Sequence, residues 1–480
     1  MSNCTLLIRD SNYPPAPFSP PQEYREFQGT RILRGITDPT NRIYPMVREA
    51  LFRHLEGFDP SDGSVDIRCL RALGHIRKVV IKPNWVCSDT QNTQAVTTNA
   101  SLIRPIIDYL LLAFGEECSI TIGDVPLQSC NLDEVWLQTG VSSLKDYYQP
   151  LKLNVNFVDL RRERSHIDSQ GFVFRREPLQ GDKNGYISVH LRNQSFLEEI
   201  CGANPIFSVN DYEPGTTNCY HLRGQHSYFV PASILDCDLF VNLPKLKTHC
   251  KAGLTVSMKN LIGINADKAW IPHFRVGAPI NGGDEYPNDM SFIQNLKAGI
   301  RRNLQGRSRI LYHLGASLWK VFKNQAETKW KHRLLGGGAW AGNDTIWRSI
   351  LDLVTVITFA DRYGKMHSTP QRAQICIVDG IVSGEGNGPL TPSPKSAGAV
   401  ICSSDPVSSD WVACELAGFN FQMIPLMRHA SRLHQFSETI FPSSPEALRL
   451  SGIWPHGIGN IRNVPNLRFS PPDGWEGVSK

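Results

Sequence analysis

The sequence contains no closely spaced pair of cysteines. No two of its 12 cysteines have the spacing of a CxxC motif, which excludes redox and zinc sites of that kind and the iron–sulfur cluster motifs of ferredoxins. Cys237, Cys376 and Cys402 lie in apolar runs. The cysteines therefore indicate buried thiols in a reducing compartment.

The sequence also lacks a long hydrophobic run. The longest, LIRPIIDYLLLAF, contains Arg104, Pro105 and Asp108 and is too short to span a bilayer. The first residues, MSNCTLLIRDSNYPPAPFSPP, do not have the charged start and apolar core of a signal peptide. We therefore expect a cytoplasmic protein. A net charge of +5 over 480 residues gives no specific indication of nucleic-acid binding.

Short apolar runs alternate with helical patterns from about residue 76 onward. The runs end in polar or glycine-rich residues, as in HIRKVVIKPNW, CSITIGDVPL and QICIVDGIVSGEGNGP. Continuous apolar strands between helices such as TIWRSILDLVTVITFA are typical of a parallel sheet that is covered on both faces. We predict an α/β fold with a mostly parallel sheet, helices on both faces and large insertions.

The pattern divides the chain into five segments. They are an N-terminal arm with a helical lead-in (1–75), the first part of the α/β domain (76–285, with an insertion at 160–230), a basic helical insertion (286–340), the second part of the domain (341–425) and a C-terminal extension (426–480). Within the basic insertion, residues 297–335 carry ten Lys or Arg against the single acid Glu327. This segment would either bind a partner or a membrane surface or pack on the core with a solvated basic back.

The stretch DLFVNLPKLKTHCKAGLTVSMKNLIG, residues 238–263, concentrates positive charge at the end of an apolar strand. Pro244 would block further ladder pairing, and a helix is expected to begin among the residues that follow. Lys245, Lys247 and the free N–H groups of that helix would then bind a carboxylate, a phosphate or an anionic cofactor. The alternative interpretation is a solvated basic loop.

Further residues of this stretch also favour a binding site. Gly253 would let the backbone approach a ligand closely. Lys259 follows Thr255 by one helical turn on the same predicted face, and Asn260 adds a polar group to a helix that should be largely buried.

Polar residues follow the other predicted strands as well. They are Lys82 and Asn84 in IKPNW, Asp124 in IGDVPL, Asp379, Glu385, Gly386, Asn387 and Gly388 in VDGIVSGEGNGPL, and Asp405 and Asp410 in SSDPVSSD. Ligands of parallel sheets bind beyond the carboxyl ends of the strands, so we expect these residues to converge on one site. The alternatives are a lysine at the sheet rim for Lys82, a local turn for Asp124 and a flexible surface loop for the glycine-rich stretch.

The set includes groups capable of acid–base chemistry. We predict that the catalytic residues are His249, Lys259, Asp379 and Glu385. His249 and His273 would together bind a divalent metal, or else serve as ordinary hydrogen-bonding residues; no HxxxH or HExxH spacing indicates zinc. A desolvated Lys259 would alternatively act as a nucleophile toward a carbonyl ligand.

The order of these motifs resembles that of a known family. IKPN, GDVP, VNLPKLKTH with AGLTVSMKNLIG, IVDGIVSGEGNGP and SSDPVSSDWVACELAGF follow one another as in the DUF362 family, a domain of unknown function. The resemblance covers roughly residues 76–285 and 340–425. It is strongest to a long, insertion-bearing branch, and the chain lacks the ferredoxin-like cluster module that many members carry. The family name implies little chemistry.

A local stretch is also similar to lactate racemase. His249, Ala252, Gly253, Thr255 and Lys259 match its pattern H-x-x-A-G-x-[ST]-x-x-x-K. That enzyme uses its histidines and this lysine with a nickel-pincer nucleotide, so the similarity implies a sheet-end site that would hold a divalent metal or a metal-containing organic cofactor. The rest of the racemase pattern is not evident in this chain.

These patterns together favour an enzyme that binds an anionic small molecule, a carboxylate or a phosphate, at the carboxyl ends of a parallel sheet. Its chemistry would be acid–base or metal-assisted, of an isomerase, racemase or redox-linked kind. The alternative is a non-catalytic module that binds an anion or a cofactor and uses its basic helix to contact an acidic partner or a membrane surface.

Overall fold

A computed structural model of the chain describes residues 3–9, 12–169, 172–210, 212, 215–290, 310, 311, 313, 314, 336–453 and 459–480. The predicted basic helix at 297–335 lies mostly outside the described residues. Among the helices that are described, none has the length and apolar character needed to cross a membrane.

Most of the described strands belong to one large sheet. In chain order the strands are β1 (Asn3–Ile8), β2 (Lys78–Pro83), β3 (Ser119–Asp124), β4 (Val155–Asp159), β5 (Glu163–Ile167), β6 (Val173–Pro178), β7 (Tyr186–His190), β8 (Phe207–Ser208), β9 (His221–Leu222), β10 (Gln225–Pro231), β11 (Leu239–Leu243), β12 (Lys245–His249), β13 (Gly253–Thr255), β14 (Phe274–Arg275), β15 (Ala373–Glu385), β16 (Ser393–Ser403) and β17 (Arg449–Ile453).

The large sheet has ten strands, in the order β17-β1-β16-β15-β11-β2-β3-β4, with β12 and β13 attached beside β15. The run from β15 through β11, β2 and β3 to β4 is parallel, and its register sets Val241 of β11 beside Ile81 of β2 and Ile375 of β15. β16 runs antiparallel to both β15 and β1. The predicted α/β fold with a mostly parallel sheet is therefore confirmed.

Helices cover both faces of this sheet. They are α1 (Ile43–His54), α2 (Arg68–Arg71), α3 (Thr93–Val96), α4 (Ala100–Phe114), α5 (Leu132–Thr139), α6 (Val141–Tyr148), α7 (Ala232–Leu235), α8 (Ser257–Asn260), α9 (Ile346–Phe359), α10 (Pro406–Ala417) and α11 (Pro425–His429). Val79 and Ile81 join one apolar core with Ile106 of α4, whereas Val80 joins the other core with Ile350 of α9. Alternate strand residues point to opposite faces, so each core lies on its own side of the sheet.

Both ends of the chain contribute a strand to the large sheet, whereas the sequence had indicated only an N-terminal arm and a C-terminal extension. Cys4 of β1 pairs with Ser403 of β16 on one side and with Leu450 of β17 on the other. The segment 160–230 forms small sheets of its own, in which β5 pairs with β6 and β10 pairs with both β7 and β9. The insertion thus adds ordered structure beside the carboxyl edge of the parallel strands.

Candidate functional site

The strand that leads toward the site does not end its pairing at Pro244. The chain continues as β12 from Lys245 to His249 and turns back as β13. β12 is parallel to β15, with a register shift between Lys245 and Lys247. The expectation that Pro244 ends the ladder pairing was wrong, because a β-hairpin extends the sheet at its carboxyl edge before the helix begins at Ser257.

The helix that follows, α8, has four residues and begins at Ser257. Its first N–H groups are not free, because the buried carboxylate of Asp410 accepts hydrogen bonds from Ser257 N at 2.7 Å and Met258 N at 3.1 Å. The predicted use of this helix N-terminus for a ligand anion is therefore wrong. Thr255 lies in β13 and not on one helical face with Lys259.

A cavity of about 440 Å³ lies at the carboxyl ends of β2 and β3, beside the β12–β13 hairpin. It brings together nine of the predicted residues, namely Lys82, Asn84, Asp124, Lys247, His249, Thr255, Lys259, Asn260 and His273. The charged and titratable groups of its wall are Lys82, Lys247, Lys251, Lys259, Lys268, His249, His273, Asp124, Cys250 and Tyr212. Five lysines face one carboxylate in the described wall.

That carboxylate is already paired. Lys82 Nζ lies 2.7 Å from Asp124 Oδ1, and both side chains are almost completely buried. Lys82 Nζ also donates to Asn260 Oδ1 at 3.0 Å, while Asp124 Oδ2 accepts from Trp85 N at 2.7 Å. The pair is thus part of the cavity floor, and its own charges cancel.

Two further lysines are held by backbone carbonyl groups. Lys247 Nζ donates to Val96 O at 2.5 Å, and Lys268 Nζ donates to Val125 O and to Ile262 O, each at 2.9 Å. Burial lowers the pKa of Lys247 and of Lys268 to about 7, because the charged ammonium loses its hydration and a carbonyl dipole replaces it only in part. Neither amine forms an ion pair within the described residues, and the nearby carboxylate of Asp124 offsets only part of the lowering of their pKa values.

Lys259 differs from the other lysines of the wall. Within the described part of the chain, its amine makes no hydrogen bond and no ion pair, and its side chain faces the cavity. Burial lowers the pKa of Lys259 to about 7, and the positive charge of Lys251 lowers it further in the same direction. A substantial fraction of this amine is therefore neutral near pH 7.

The two histidines carry their protons on different ring nitrogens. His249 Nδ1 accepts a hydrogen bond from the backbone N–H of Lys251 at 3.0 Å, so its proton is on Nε2. His273 Nδ1 lies 2.8 Å from the carbonyl oxygen of Ile271, which can only accept, so its proton is on Nδ1. Burial lowers the pKa of both rings well below 6.5, with nearby lysines adding to the effect. Near neutral pH, His249 offers an N–H donor and His273 a free lone pair.

Several buried polar atoms of wall residues have no hydrogen-bond partner among the described residues. They include Asn84 Nδ2 and Thr255 Oγ1, on side chains that are almost fully buried, as well as Trp85 Nε1, Tyr212 OH and both amide atoms of Gln128. An unsatisfied buried donor costs about 1–3 kcal/mol, and such groups usually bind a ligand or an ordered water. Their position identifies the part of the cavity where a polar ligand would recover that free energy.

The predicted residues Lys245 and Asp379 lie outside the cavity wall. Lys245 Nζ lies 3.1 Å from Asp379 Oδ2, and both side chains are fully buried. Tyr13 OH donates to Asp379 Oδ1 at 2.7 Å, and Asn99 N donates to Oδ2 at 3.0 Å. Ile381 N is a fourth polar neighbour of this carboxylate, at 3.3 Å, and neither Asp379 nor Lys245 is among the described residues that line the cavity.

The glycine-rich stretch after β15 also contributes little to the cavity. Glu385 Oε2 accepts from Lys395 Nζ at 2.9 Å, and Asn387 Nδ2 donates to Asp473 Oδ2 at 3.1 Å. Gly386 and Gly388 are absent from the described wall, which instead contains Pro389 and Leu390. The polar groups of this stretch hold the C-terminal extension in place.

Gly253 has a packing role at the hairpin turn. Its φ of 78° lies in the left-handed region, and a Cβ there would come within 2.9 Å of Ile424 Cγ2. Gly388 is similarly enclosed, since a side chain would collide with Thr248 O. The prediction was that a ligand would closely approach Gly253, but side chains of the protein, such as that of Ile424, occupy this position.

Sequence reasoning missed Lys268 and Lys251 as residues of the wall. Lys268 follows α8 in a 3-10 turn, Lys268–Trp270, and no motif distinguishes it from a surface lysine. Its position five residues before the candidate His273, in NADKAWIPHF, was the one feature of the sequence that could have indicated a place in the same wall.

The wall does not fit a bare divalent cation. The described residues contain no group of three or more His, Cys, Asp or Glu side chains that could hold a metal ion. His249 carries its proton on Nε2, the nitrogen that a metal would need, and the surrounding lysines would repel a cation. A metal-containing organic cofactor of overall negative charge stays a prediction.

Comparisons with known proteins support a family assignment and no activity. A family model described as "Domain of unknown function (DUF362)" matches residues 79–178 and 167–415. The thylakoid-associated protein sll1697 of Synechocystis sp. is 22% identical over 265 residues, which cover 54% of this chain and 56% of that protein. A solved structure from Thermotoga maritima is 11% identical, covers 68% of this chain and 52% of its own, and has a TM-score of 0.27.

The geometry predicts a structural role for Asp379 and a much smaller one for Glu385. We expect Asp379→Asn to lower the free energy of unfolding by about 3–5 kcal/mol, because it leaves the buried ammonium of Lys245 without its counter-ion. Glu385→Gln, the matched amide substitution in a partly exposed pair, should cost less than about 1 kcal/mol. Urea denaturation measures both. Equal stability of the two variants would contradict this assignment.

The histidine tautomers can be observed directly by ¹⁵N NMR of selectively labelled protein. The resonances lost in His249→Gln should report a proton on Nε2, and those lost in His273→Gln a proton on Nδ1. Because both pKa values lie well below 6.5, neither ring should take up a proton between pH 8 and about 6.5. A shared tautomer, or titration of either ring in that range, would refute the division of roles.

Proposed function

The chain belongs to the DUF362 family, whose description assigns no activity, and we propose from the cavity alone that the protein binds an anionic small molecule there. The ligand carries a carboxylate, a phosphate or a similar anionic group. We also propose a cytoplasmic location, which the 12 cysteines support, since none of them forms a disulfide in the described structure.

The observation that carries this proposal is the imbalance of charge in the wall. Lys82 and Asp124 neutralise each other, while Lys247 and Lys268 hydrogen-bond, among the described residues, only to carbonyl oxygens. Bringing an ammonium out of water is costly unless an opposite charge is supplied. A bound anion would supply that charge to several lysines at once, whereas a neutral or cationic ligand would not.

The histidines give the bound anion a route for proton transfer. His273 presents an unprotonated Nε2 that can accept a proton, and His249 presents an Nε2–H that can donate a hydrogen bond to a developing oxyanion. A base and an oxyanion donor on the wall of one cavity are elements of an isomerase or a related acid–base enzyme. This arrangement favours an enzyme over a simple binding module, because binding alone would not require opposite tautomers.

Sulfate is a suitable probe because its charge is constant between pH 6.5 and 8.5. A lysine with a pKa of about 7 is mostly protonated at pH 6.5 and mostly neutral at pH 8.5, and this applies to Lys247, Lys259 and Lys268. We expect isothermal titration calorimetry to show that sulfate binds about tenfold or more tightly at pH 6.5 than at pH 8.5. A bound anion raises the pKa of a neighbouring lysine, and each unit of that increase strengthens binding to the protonated protein by about tenfold.

The matched variants for this titration are Lys259→Met and Lys183→Met. The first removes an amine that has no partner among the described residues, so the fold should persist while the affinity at pH 6.5 falls about tenfold, the value of one charge-assisted hydrogen bond. The second removes an exposed lysine that is not among the described residues of the wall and should leave affinity unchanged. If the sulfate affinity changes neither with pH nor in Lys259→Met, the anion binds outside this cavity and the proposal is wrong.

A further inference from the structure

We infer that Lys259 is a nucleophilic amine and that the anionic ligand also bears an aldehyde or ketone group, as in a 2-oxo acid. The inference rests on the proposed anion site and names the class of molecule that the site would take. It assigns to Lys259 a covalent role that the other lysines of the wall cannot share.

The partners of the lysines separate them into two groups. The amines of Lys82, Lys247 and Lys268 are directed at oxygen atoms of the protein, at distances from 2.5 to 3.0 Å. Lys251 has polar partners too, and its amine lies 5.4 Å from the centre of the Phe274 ring. Lys259 alone, among the lysines of the described wall, points an unengaged amine at the cavity.

An amine must carry a lone pair to attack a carbonyl carbon, and the surroundings of Lys259 favour the neutral form. Burial and the charge of Lys251 lower the pKa of Lys259 to about 7, so about half of these amines are neutral at pH 7. Desolvation beside another cation is an established way to activate a lysine nucleophile. Lys247 and Lys268, whose amines are hydrogen-bonded to backbone carbonyl groups, would instead bind the anionic group of the same ligand.

The reaction needs no oxidant or reductant. The Lys259 nitrogen attacks the carbonyl carbon and forms a C–N bond, while the carbonyl oxygen accepts a proton to give a carbinolamine. The C–O bond then breaks, and the oxygen leaves as water with the two protons that the amine has lost, which gives a neutral imine. His273 Nε2 can accept each proton that the nitrogen loses and return it to the oxygen, while His249 Nε2–H holds that oxygen by a hydrogen bond.

Reductive trapping tests this inference. The full-length protein is incubated at pH 7 with glyoxylate, the smallest 2-oxo acid, and sodium cyanoborohydride, which reduces an imine to a stable secondary amine. Intact-mass and peptide mass spectrometry then count and locate the adducts. We expect one adduct per chain, on Lys259, formed at least tenfold faster than on any surface lysine, and slowed by excess sulfate.

Two variants serve as controls. Lys259→Arg keeps a positive charge but cannot form an imine, so the rapid adduct should disappear. Lys183→Arg removes an exposed lysine outside the wall and should be labelled at Lys259 as fast as the wild type. Slow labelling spread over surface lysines, equal in wild type and Lys259→Arg, would overturn the inference.

The trapping experiment and the sulfate titration test separate claims, so either claim can be wrong while the other holds. If sulfate binds in the cavity but Lys259 is not trapped, the covalent role is wrong and the anion site stands. If Lys259 is trapped rapidly while sulfate neither binds nor slows the reaction, the reactive amine stands and the proposed anion site is wrong.

Discussion

The buried ion pair between Lys82 and Asp124 links the elements that make the cavity. Lys82 is the last residue but one of β2 and Asp124 ends β3, while Asn260, at the end of α8, accepts from the same lysine. Gly263 packs directly against both charged groups, and a side chain there would collide with them. Two parallel strands and the segment after the hairpin are thereby joined at one buried point.

The same pair determines the electrostatics of the cavity. Because Asp124 is engaged by Lys82 and by the backbone N–H of Trp85, no other carboxylate in the described wall remains for Lys247, Lys259 or Lys268. Burial of these lysines disfavours their charged form and lowers the pKa of each to about 7. A site of this kind is organised for negative charge before any ligand arrives.

Much of the site followed from a simple feature of the sequence. Lys82, Asp124 and Lys247 lie at or just beyond the carboxyl ends of apolar strands, and parallel strands bring those ends to one edge. That rule correctly placed Lys82, Asn84, Asp124 and Lys247 around one cavity, whereas the sheet itself was predicted from apolar strands alternating with helices. It failed for Asp379, because its partner Lys245 lies on a hairpin strand that continues past Pro244, and local sequence does not reveal such long-range pairing. It also failed for Lys268, which lies in a turn with no distinguishing pattern.

Crystallography with selenate tests the central claim most directly, because selenium scatters anomalously and the ion mimics sulfate. Crystals grown with selenate at pH 6.5 should show an anomalous peak inside the cavity, within hydrogen-bond distance of Lys259 Nζ and close to the amine of Lys247 or Lys268. An empty cavity with selenate bound only at the protein surface would contradict an anion site. So would a metal cation coordinated between His249 and His273, because that would require the opposite charge preference and a different tautomer of His249.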